Sequence, residues 1–365
     1  MTKYAVRRLL QAIPVLLGIS VIIYSILLIA PGGPEARFAQ NPRITAAQIA
    51  AFRHRWGLDQ PIPVQYCMWL GVCGDKPFLI NALPGGTIDL AGVRIELPGG
   101  DNGVLHGDLG YSSTDGRSVA AVIGDRLPAT LILAGTAWVI WVIIAFISGV
   151  YAAVRRYSLF DSAITIFNYA GLAFPTFWLG IMLITIFAGT LHVLPAGGMW
   201  NVRVVPPFGT PDYWAYFGTH PLAALGDLGT HLILPVFTLV VVSIAYDSRF
   251  VRSSMLDALN QDYIRTARAK GVPERTVIFK HALRNALLPV ITNLGLEIPF
   301  LFTGAFVTET IFSWPGMGYQ FILSTGNYDY PVLMGLLSVT ALVTVFANLL
   351  ADLMYAVVDP RVRYD

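Results

Sequence analysis

Charged residues are scarce in this chain. Only 13% of its 365 residues are Asp, Glu, Lys or Arg, while 55% are hydrophobic. A water-soluble domain carries about a quarter charged residues, so this balance excludes an ordinary soluble protein. The composition instead indicates a chain that crosses a lipid bilayer several times.

The chain also lacks the usual signatures of nucleotide, metal and covalent chemistry. Its two cysteines exclude a disulfide-dense secreted fold. It has no Walker A loop (GxxxxGK followed by Ser or Thr) and no GxGxxG, HExxH or GxSxG motif. The formal net charge of +2 gives no reason to expect a nucleic-acid partner. We therefore expect no catalytic residue, metal site or cofactor in this chain.

Long apolar runs are present instead. Because backbone polar groups inside a bilayer must bond internally, about 20 apolar residues in a row predict a membrane-spanning helix. The first run is too long for the core of an ordinary signal peptide, so we expect it to be retained. The fourth is short and ends where Asp247 follows. The six predicted spans are Leu9–Ala30, Pro128–Val154, Ser162–Leu191, Thr230–Tyr246, Ala286–Val307 and Pro331–Val358.

Lysine and arginine are distributed unevenly between the loops. Eight lie between residues 249 and 284, whereas 192–229 holds only Arg203 and 308–330 holds none. Short loops rich in basic residues stay in the cytosol. This rule places both termini and the segment 249–285 on the cytosolic side.

This topology divides the chain into three parts. Residues 1–30 form the cytosolic N-terminus and the first helix, 31–127 form a small external domain, and 128–365 form a five-helix core. In the external domain, Thr45 and Gln48 predict a capping box at a helix start, and "TIDLAGVRIEL" predicts a β-hairpin.

The external domain also holds both cysteines, Cys67 and Cys73. A disulfide needs Cα atoms roughly 4.4–6.8 Å apart, and residues six apart in a continuous helix are about 9 Å apart. A turn at Gly71 would bring them together. Bonded cysteines and free thiols both stay open.

The stretch "DYIRTARAKGVPERTVIFKHALRNALLPV" is compact and basic within this apolar chain. Its composition predicts a helix that ends at Gly271 and a second helix that begins at Pro273. Small side chains at Thr266, Ala267 and Ala269 leave one surface low. The basic residues Arg265, Arg268 and Lys270 flank that surface. From the residues alone, either a protein-docking corner or a lipid-facing loop fits this pattern.

A resemblance favours the docking corner. The stretch "DYIRTARAKG…HALRNALLPV" is similar to the coupling motif of ABC-importer permeases, in the dipeptide, oligopeptide and nickel branch and its first permease subunit. Further motifs in matching order include "RRLLQAIPVLLGISVIIYSILLIAPGGP", "WGLDQPIPVQY", "GDLGYS", "RLPATLIL", "ETIFSWPGMG", "DYPVLMG" and "DPRVR". One departure is an insert of about 30 residues, roughly 73–106, which puts in doubt details carried over to the external face.

The resemblance implies an all-α polytopic membrane protein. Its fold would be a type I ABC importer transmembrane domain with six transmembrane helices and a small mixed α/β external domain between the first two. Family members lie in the prokaryotic plasma (inner) membrane. Their substrates are dipeptides or oligopeptides, with nickel complexes or sugars as alternatives. A secondary transporter is the alternative of a different class.

The resemblance also implies partners. They are a second homologous permease subunit, two cytosolic ATPases that bind ATP and Mg²⁺, and an external solute-binding protein. Ala267 and Gly271 would contact the ATPase groove, and the basic residues beside them would pair with its acidic rim.

Acidic and amide side chains near the spans are candidates for the translocation path. Glu297 lies near the middle of the fifth span, where a charge costs about 2.5–3.5 kcal/mol, and Asn293 lies one turn before it. Glu297 could grip a substrate's amino terminus or make a structural hydrogen bond, and both stay open. Glu309 begins the segment "ETIFSWPGMG", which is either an external turn or an element of an outer gate.

Overall fold

The structure is a computed structural model of the chain. It describes residues 2–29, 45–55, 58–72, 86–90, 93–97, 103–303 and 306–358. The chain divides into two compact units. The first comprises Met1–Arg7, Ala129–Gly318 and Phe346–Asp365, and the second comprises Arg8–Pro128 and Tyr319–Val345.

Most described residues are helical. Five stretches are long and apolar enough to cross a membrane, and a bent helix pair makes a sixth if it counts as one span. The helices are α1 (Thr2–Ile29), α2 (Ala46–Arg55), α3 (Ile62–Leu70), α4 (Val119–Val154), α5 (Leu159–Ala173), α6 (Thr176–Leu183), α7 (Pro211–Thr219), α8 (Pro221–Leu259), α9 (Asp262–Ala269), α10 (Glu274–Thr276), α11 (Leu283–Thr303), α12 (Phe306–Ile311), α13 (Met317–Gly326) and α14 (Tyr330–Val358). Two π-helical segments, Ile184–Thr190 and Val277–Ala282, follow α6 and α10.

The third predicted span is not one straight helix. It consists of α5, α6 and the following π-helical segment, with a bend of 97° at the break. Phe174 has ψ 122° and Pro175 has ψ 132°, both outside the helical range. Proline clashes with a helical residue before it and donates no backbone hydrogen bond, so the helix stops there. The predicted span Ser162–Leu191 is therefore interrupted at Pro175, and it remains the sixth span if the bent pair counts as one.

The fourth span is much longer than predicted. Helix α8 runs for 39 residues and continues through Asp247, which is only 5% exposed. The sequence-based interpretation ended the apolar run before this charge and, because the run is short, left open an extension into its flanks. The Asp247 carboxylate has a hydrogen-bond partner inside the protein, described below, so the helix can continue past it.

The core of the first unit lies between α4 and α8. Leu133 and Trp141 on α4 pack with Leu239 on α8 and with Trp314. The indole N–H of Trp314 donates to the carbonyl of Ala129 at 2.8 Å. This hydrogen bond holds the segment that follows α12 against α4.

Glycines allow two close helix approaches in the first unit. A Cβ at Gly149 on α4 would lie 2.6 Å from the carbonyl oxygen of Ser248, and one at Gly171 on α5 would lie 2.8 Å from that of Val241. Both partners are on α8. Small residues at such crossings are typical of helix packing in membranes, where close van der Waals contact replaces hydrophobic driving force.

The second unit confirms two local predictions. The Gln48 side chain accepts from the Thr45 backbone N–H at 2.8 Å, and Thr45 Oγ1 accepts from the Gln48 N–H at 3.3 Å, which is the predicted capping box. Strands β1 (Gly86–Leu90) and β2 (Val93–Leu97) pair antiparallel, as the hairpin pattern predicts. The turn residues 91–92 lie outside the described part, as does most of the insert over 73–106.

Two buried polar contacts hold the rest of this unit. Gln65 on α3 accepts from the Tyr24 hydroxyl on α1 at 3.1 Å. The Asp329 carboxylate accepts from the Ser112 hydroxyl at 2.5 Å and from the Ser113 N–H at 3.0 Å. Cys67 is disulfide-bonded, and Cys73, the other cysteine of the chain, lies outside the described residues.

Candidate coupling segment and polar cluster

Gly271 turns the chain at the end of α9. Its φ is +75°, in the left-handed region that favours glycine. The Gly271 N–H donates to the Arg268 carbonyl at 3.0 Å, and the Val272 N–H donates to the Ala267 carbonyl at 3.2 Å. These bonds close the helix end in the way that glycine-terminated helices commonly do. A Cβ here would meet nothing within 4 Å, so backbone conformation and not space selects glycine.

Pro273 starts the second helical piece, as the sequence predicts. Its carbonyl accepts from the N–H groups of Thr276 at 2.8 Å and Val277 at 3.0 Å. The piece begins as α10 and changes to the π-helical segment Val277–Ala282, which leads into α11. A π-helical turn inside a longer helix is uncommon and is often found at functional sites.

An ion pair joins the two sides of this turn. Arg268 donates to both carboxylate oxygens of Glu274, from Nη2 at 2.6 Å and from Nε at 3.1 Å. The hydrogen bond that the Arg268 guanidinium donates to Glu274 raises the pKa of Arg268 above its ordinary value. Two parallel bonds fix orientation as well as distance. Arg268 is therefore engaged within the chain, whereas the sequence-based hypothesis offered it to a partner.

The inner face of the turn packs on the end of α8. Ile264, Val277 and Ala282 are 0% exposed and belong to one apolar cluster with Val251 and Met255 of α8. Ala267 is half-buried and packs against the same cluster, so it is less accessible than the sequence indicates. The whole turn is held against α8 by this burial.

The outer face of the turn is open. Thr266, Ala269, Lys270, Gly271 and Pro273 are all exposed. Arg265 is also exposed, and its bond to Asp262 at 3.3 Å joins two solvated side chains.

Sequence reasoning missed two exposed aromatic side chains beside this face. Tyr263 is 40% exposed and Phe279 is 57% exposed. Apolar aromatic residues in a basic segment were the available signal for them. We define the coupling face as Tyr263, Arg265, Thr266, Ala269, Lys270, Gly271, Pro273 and Phe279.

A polar cluster links three of the helices that could cross a membrane. The Asn293 amide on α11 donates to Asp247 Oδ1 on α8 and to Glu297 Oε1 one turn further along α11, each at 3.2 Å. The indole N–H of Trp138 on α4 donates to Glu297 Oε2 at 3.0 Å. We call these four residues the polar cluster. It brings the predicted Asn293 and Glu297 together with Asp247 and Trp138, which the sequence did not place among the translocation-path candidates.

The cluster lies at one level of the three helices. Asp247 is 12 residues from the end of α8 and Trp138 is 16 residues from the end of α4. Glu297 is 14 residues from the start of α11. At a rise of 1.5 Å per residue these separations along the three helices are roughly 18–24 Å.

Glu309 has a different environment from the cluster. It is 0% exposed. Its carboxylate accepts from the Thr130 hydroxyl at 2.8 Å and from the Gly318 N–H at 2.8 Å. The Thr130 hydroxyl in turn accepts from the Met317 N–H at 2.8 Å. This arrangement closes the "SWPGMG" turn around a buried carboxylate.

No group of three or more His, Cys, Asp or Glu in the described ranges could hold a metal ion. The geometry therefore offers a helical turn with an open coupling face, and a buried polar cluster on the helices that this turn connects. Chemically, the first can dock a protein and the second can bind a polar group inside a membrane.

Comparison with known proteins matches the chain over nearly its full length. Residues 145–364 match the family described as binding-protein-dependent transport system inner membrane component, and residues 1–79 match the N-terminal model of such membrane components. The oligopeptide transport system permease protein AppB of Bacillus subtilis (strain 168) is 39% identical, with 100% of each chain covered. The dipeptide transport system permease protein DppB of Escherichia coli (strain K12) is 35% identical, with 100% of this chain and 99% of the relative covered. The di/tripeptide transport system permease protein DppB of Pseudomonas aeruginosa (strain UCBPP-PA14) is 32% identical at the same coverage.

Proposed function

The chain belongs to the family of binding-protein-dependent transport system inner membrane components, and from this premise we propose how it works as the permease subunit of an ATP-driven importer. The substrate is a dipeptide or an oligopeptide. The motor consists of separate cytosolic ATPase subunits, which bind the ATP and Mg²⁺. The names of the relatives support the substrate class, since they include oligopeptide, dipeptide and di/tripeptide permeases.

The observation that carries the proposal is the construction of the turn at Gly271. The Arg268–Glu274 pair fixes its two sides, and Ile264 and Val277 anchor it to α8. A displacement of the coupling face therefore moves the turn and α8 together. Coupling between two sites requires such a connection with two defined positions.

The same turn is connected to the polar cluster. It lies between α8 and α11, and these helices carry Asp247 on one side and Asn293 with Glu297 on the other. A displacement of the turn that changes the angle between α8 and α11 opens or closes the contact between those residues. We therefore place Asn293 and Glu297 on the translocation path, and we assign Glu309 to holding the "SWPGMG" turn.

The working complex contains further subunits. We propose a second homologous permease, two ATPases and an external solute-binding protein around this chain, in the inner membrane of a prokaryotic cell. Both termini and the coupling face lie in the cytosol, as the distribution of Lys and Arg supports. The exposed Arg265 and Lys270 give the coupling face a positive charge that suits an acidic rim on the ATPase.

A substitution at Gly271 tests this function. We expect Gly271→Asp to abolish ATP-driven peptide uptake, because it adds a negative charge at the centre of a face that docks on an acidic surface. Gly271→Asn is the matched control, since Asn has the same shape and tolerates a left-handed conformation at a cost of about 1 kcal/mol. The measurement is uptake of a radiolabelled dipeptide by proteoliposomes that contain the whole complex and enclosed ATP.

The amount of inserted chain is measured in parallel. We expect both variants to insert normally, with uptake lost only in Gly271→Asp. Normal uptake by that variant would remove the coupling assignment. Equal loss in both variants would assign the defect to backbone strain and not to the contact with the ATPase.

A further inference from the structure

Helices α4, α5 and α8 of the first unit enclose an apolar groove. It holds about 400 Å³, a volume within the range of ligand sites in proteins. Among the described residues that line it, only Ser148 is polar, and the Ser148 hydroxyl is already hydrogen-bonded to that of Ser248 at 3.0 Å. The rim is open, with Ile144 at 43%, Phe167 at 45% and Phe237 at 49% exposure. The groove therefore offers a ligand apolar contact.

The groove is long and narrow. Its floor follows α8 from Ile233 to Ile244, which is roughly 16 Å at 1.5 Å per residue. Spread over that length, the volume leaves a mean cross-section of about 25 Å², whereas an α-helix with its side chains is about 10–12 Å across. The length is close to half of a hydrocarbon layer about 30 Å thick. These dimensions suit one extended acyl chain of a single leaflet better than the body of a helix.

An aromatic pair lies at one end of the groove. The rings of Tyr151 on α4 and Phe160 on α5 meet edge to face, with their centroids 4.6 Å apart. Tyr151 follows the lining residue Ser148 by three positions, so it stands on the same face of α4 about one turn further on. Tyrosine is typical of the level of the lipid headgroups, because its ring is apolar and its hydroxyl is polar. The pair therefore marks the headgroup end of the groove.

Two arginines follow this pair. The Arg155 N–H donates to the Tyr151 carbonyl at 2.9 Å, so the helical turn continues and both residues share one face. Arg156 comes next and lies over the ring of the tyrosine after it. Both arginines are exposed, and neither forms an ion pair within the described part of the chain. The carboxylate of Asp161 at the start of α5 is already bound by Arg252. Positive charge therefore remains available at the end of an apolar groove.

We propose that this groove binds one acyl chain of an anionic phospholipid from the cytosolic leaflet, with the lipid phosphate held by Arg155 and Arg156. Basic residues at the cytosolic ends of membrane helices commonly bind such headgroups. The inference depends on the proposed orientation, which places both arginines in the cytosol, and not on the identity of the transported substrate. A chain bound here contacts α8, the helix on which the coupling turn packs.

The test measures lipid capture by the whole purified complex. The complex is placed in nanodiscs of phosphatidylcholine that contain a small fraction of phosphatidylglycerol with a photoreactive group in one acyl chain. After illumination, mass spectrometry measures the lipid attached to the peptides that line the groove. A second set of nanodiscs carries the same photoreactive chain on phosphatidylcholine, which has no net charge.

Two variants address the two halves of the site. Ile144→Trp fills the groove, and Arg155→Gln/Arg156→Gln removes the charge at its end. The control for the first is Ile143→Trp, which adds the same volume to a neighbouring residue of α4 that is 53% exposed and is not a lining residue. The control for the second is Arg275→Gln/Lys280→Gln, which removes two exposed positive charges from the coupling segment.

We expect wild type to capture more phosphatidylglycerol than phosphatidylcholine in the groove. The double arginine variant should lower the capture of phosphatidylglycerol roughly tenfold and leave that of phosphatidylcholine unchanged. Ile144→Trp should lower the capture of both lipids, and the two controls should match wild type.

Three results would overturn the site. Equal capture of the two lipids by wild type would show bulk lipid only. A fall of equal size in a variant and its control would show no specific contact. An absence of label on the groove in wild type would mean that another chain, such as a helix of the second permease, covers it. Because the assay needs neither ATP nor peptide, its failure leaves the proposed transport function standing.

Discussion

Single buried contacts set the local geometry of this permease, and Glu309 is the strongest case. From the sequence alone, Glu297 and Glu309 are both candidates for the translocation path. Glu297 lies near the middle of the fifth apolar run, and Glu309 lies just after its end. The structure separates them. Glu297 accepts from Trp138 on α4 and from Asn293 one turn earlier on α11, whereas Glu309 accepts from Thr130 on α4 and from the Gly318 N–H of the turn that follows it. The two glutamates therefore serve different purposes.

Gly316 offers a direct test of the role of Glu309. A Cβ at this position would lie 2.5 Å from the carboxyl carbon of Glu309 and 2.5 Å from Thr130 Oγ1, which hydrogen bonds hold in place. We expect Gly316→Ala to destabilise the protein by about 1–3 kcal/mol, the usual cost of overpacking a filled site. The measurement is the thermal unfolding midpoint of the purified complex.

The control for Gly316 is another glycine of the first unit. A Cβ added at Gly218 on α7 would meet nothing within 4 Å, so Gly218→Ala should be neutral or should stabilise by up to about 1 kcal/mol. If the two alanine variants unfold at the same temperature, the packed carboxylate is not what holds the turn.

At the scale of secondary-structure elements, a second ion pair connects α8 to α5. Arg252 near the end of α8 donates to Asp161 at the start of α5, from Nε at 2.8 Å and from Nη2 at 3.0 Å. The Tyr157 N–H donates to the same carboxylate at 2.9 Å. The pair keeps α5 in register with the part of α8 on which the coupling turn packs.

We expect Asp161→Asn to lower the free energy of unfolding by about 1.5–3 kcal/mol, because it removes charge-assisted bonds from a side chain that is mostly buried. The Asp161 side chain is 6% exposed. The control is Asp262→Asn, which affects a pair whose side chains are 75% and 94% exposed and should cost less than about 1 kcal/mol. Chemical denaturation of both variants gives the comparison. Similar losses in the two variants would contradict a special role for the buried pair.

The features that the sequence predicts correctly are local ones. The capping box at Thr45, the hairpin and the glycine-terminated helix before Pro273 each depend on a few neighbouring residues. Their backbone preferences are visible in a short stretch of sequence. The hydrogen bond between Asn293 and Glu297 is local too, since the two residues lie one helical turn apart, and their place on the translocation path stays a prediction.

The features that the sequence did not predict depend on distant partners. Asn293 is 46 residues from Asp247, and Trp138 is 159 residues from Glu297. Without knowledge of these contacts, a charge at Asp247 reads as the end of a span, and the length of α8 is underestimated. The bend at Pro175 was missed for another reason, since prolines in membrane helices are often tolerated without a break.

At the scale of the whole molecule, the prediction to test is the orientation of the chain in the membrane. The proposed orientation places Arg156 and Lys270 in the cytosol and Val202 outside the cell. All three are exposed, Val202 at 80%. Single substitutions to cysteine at these positions can be labelled with a maleimide that does not cross membranes. Cys67 is disulfide-bonded and does not compete for the label, and the unsubstituted chain measures the background.

We expect Val202→Cys to react in intact spheroplasts, and Arg156→Cys and Lys270→Cys to react only in inverted vesicles. Lys270→Cys adds a second readout, because it lies on the coupling face. Bound ATPases should protect it, and stripping them from the vesicles should restore labelling, while Arg156→Cys reacts in both preparations. Reaction of Lys270→Cys from outside the cell would reverse the orientation and remove the coupling face from reach of any cytosolic motor. Equal labelling before and after stripping would leave the orientation intact but place the ATPase contact elsewhere on the chain.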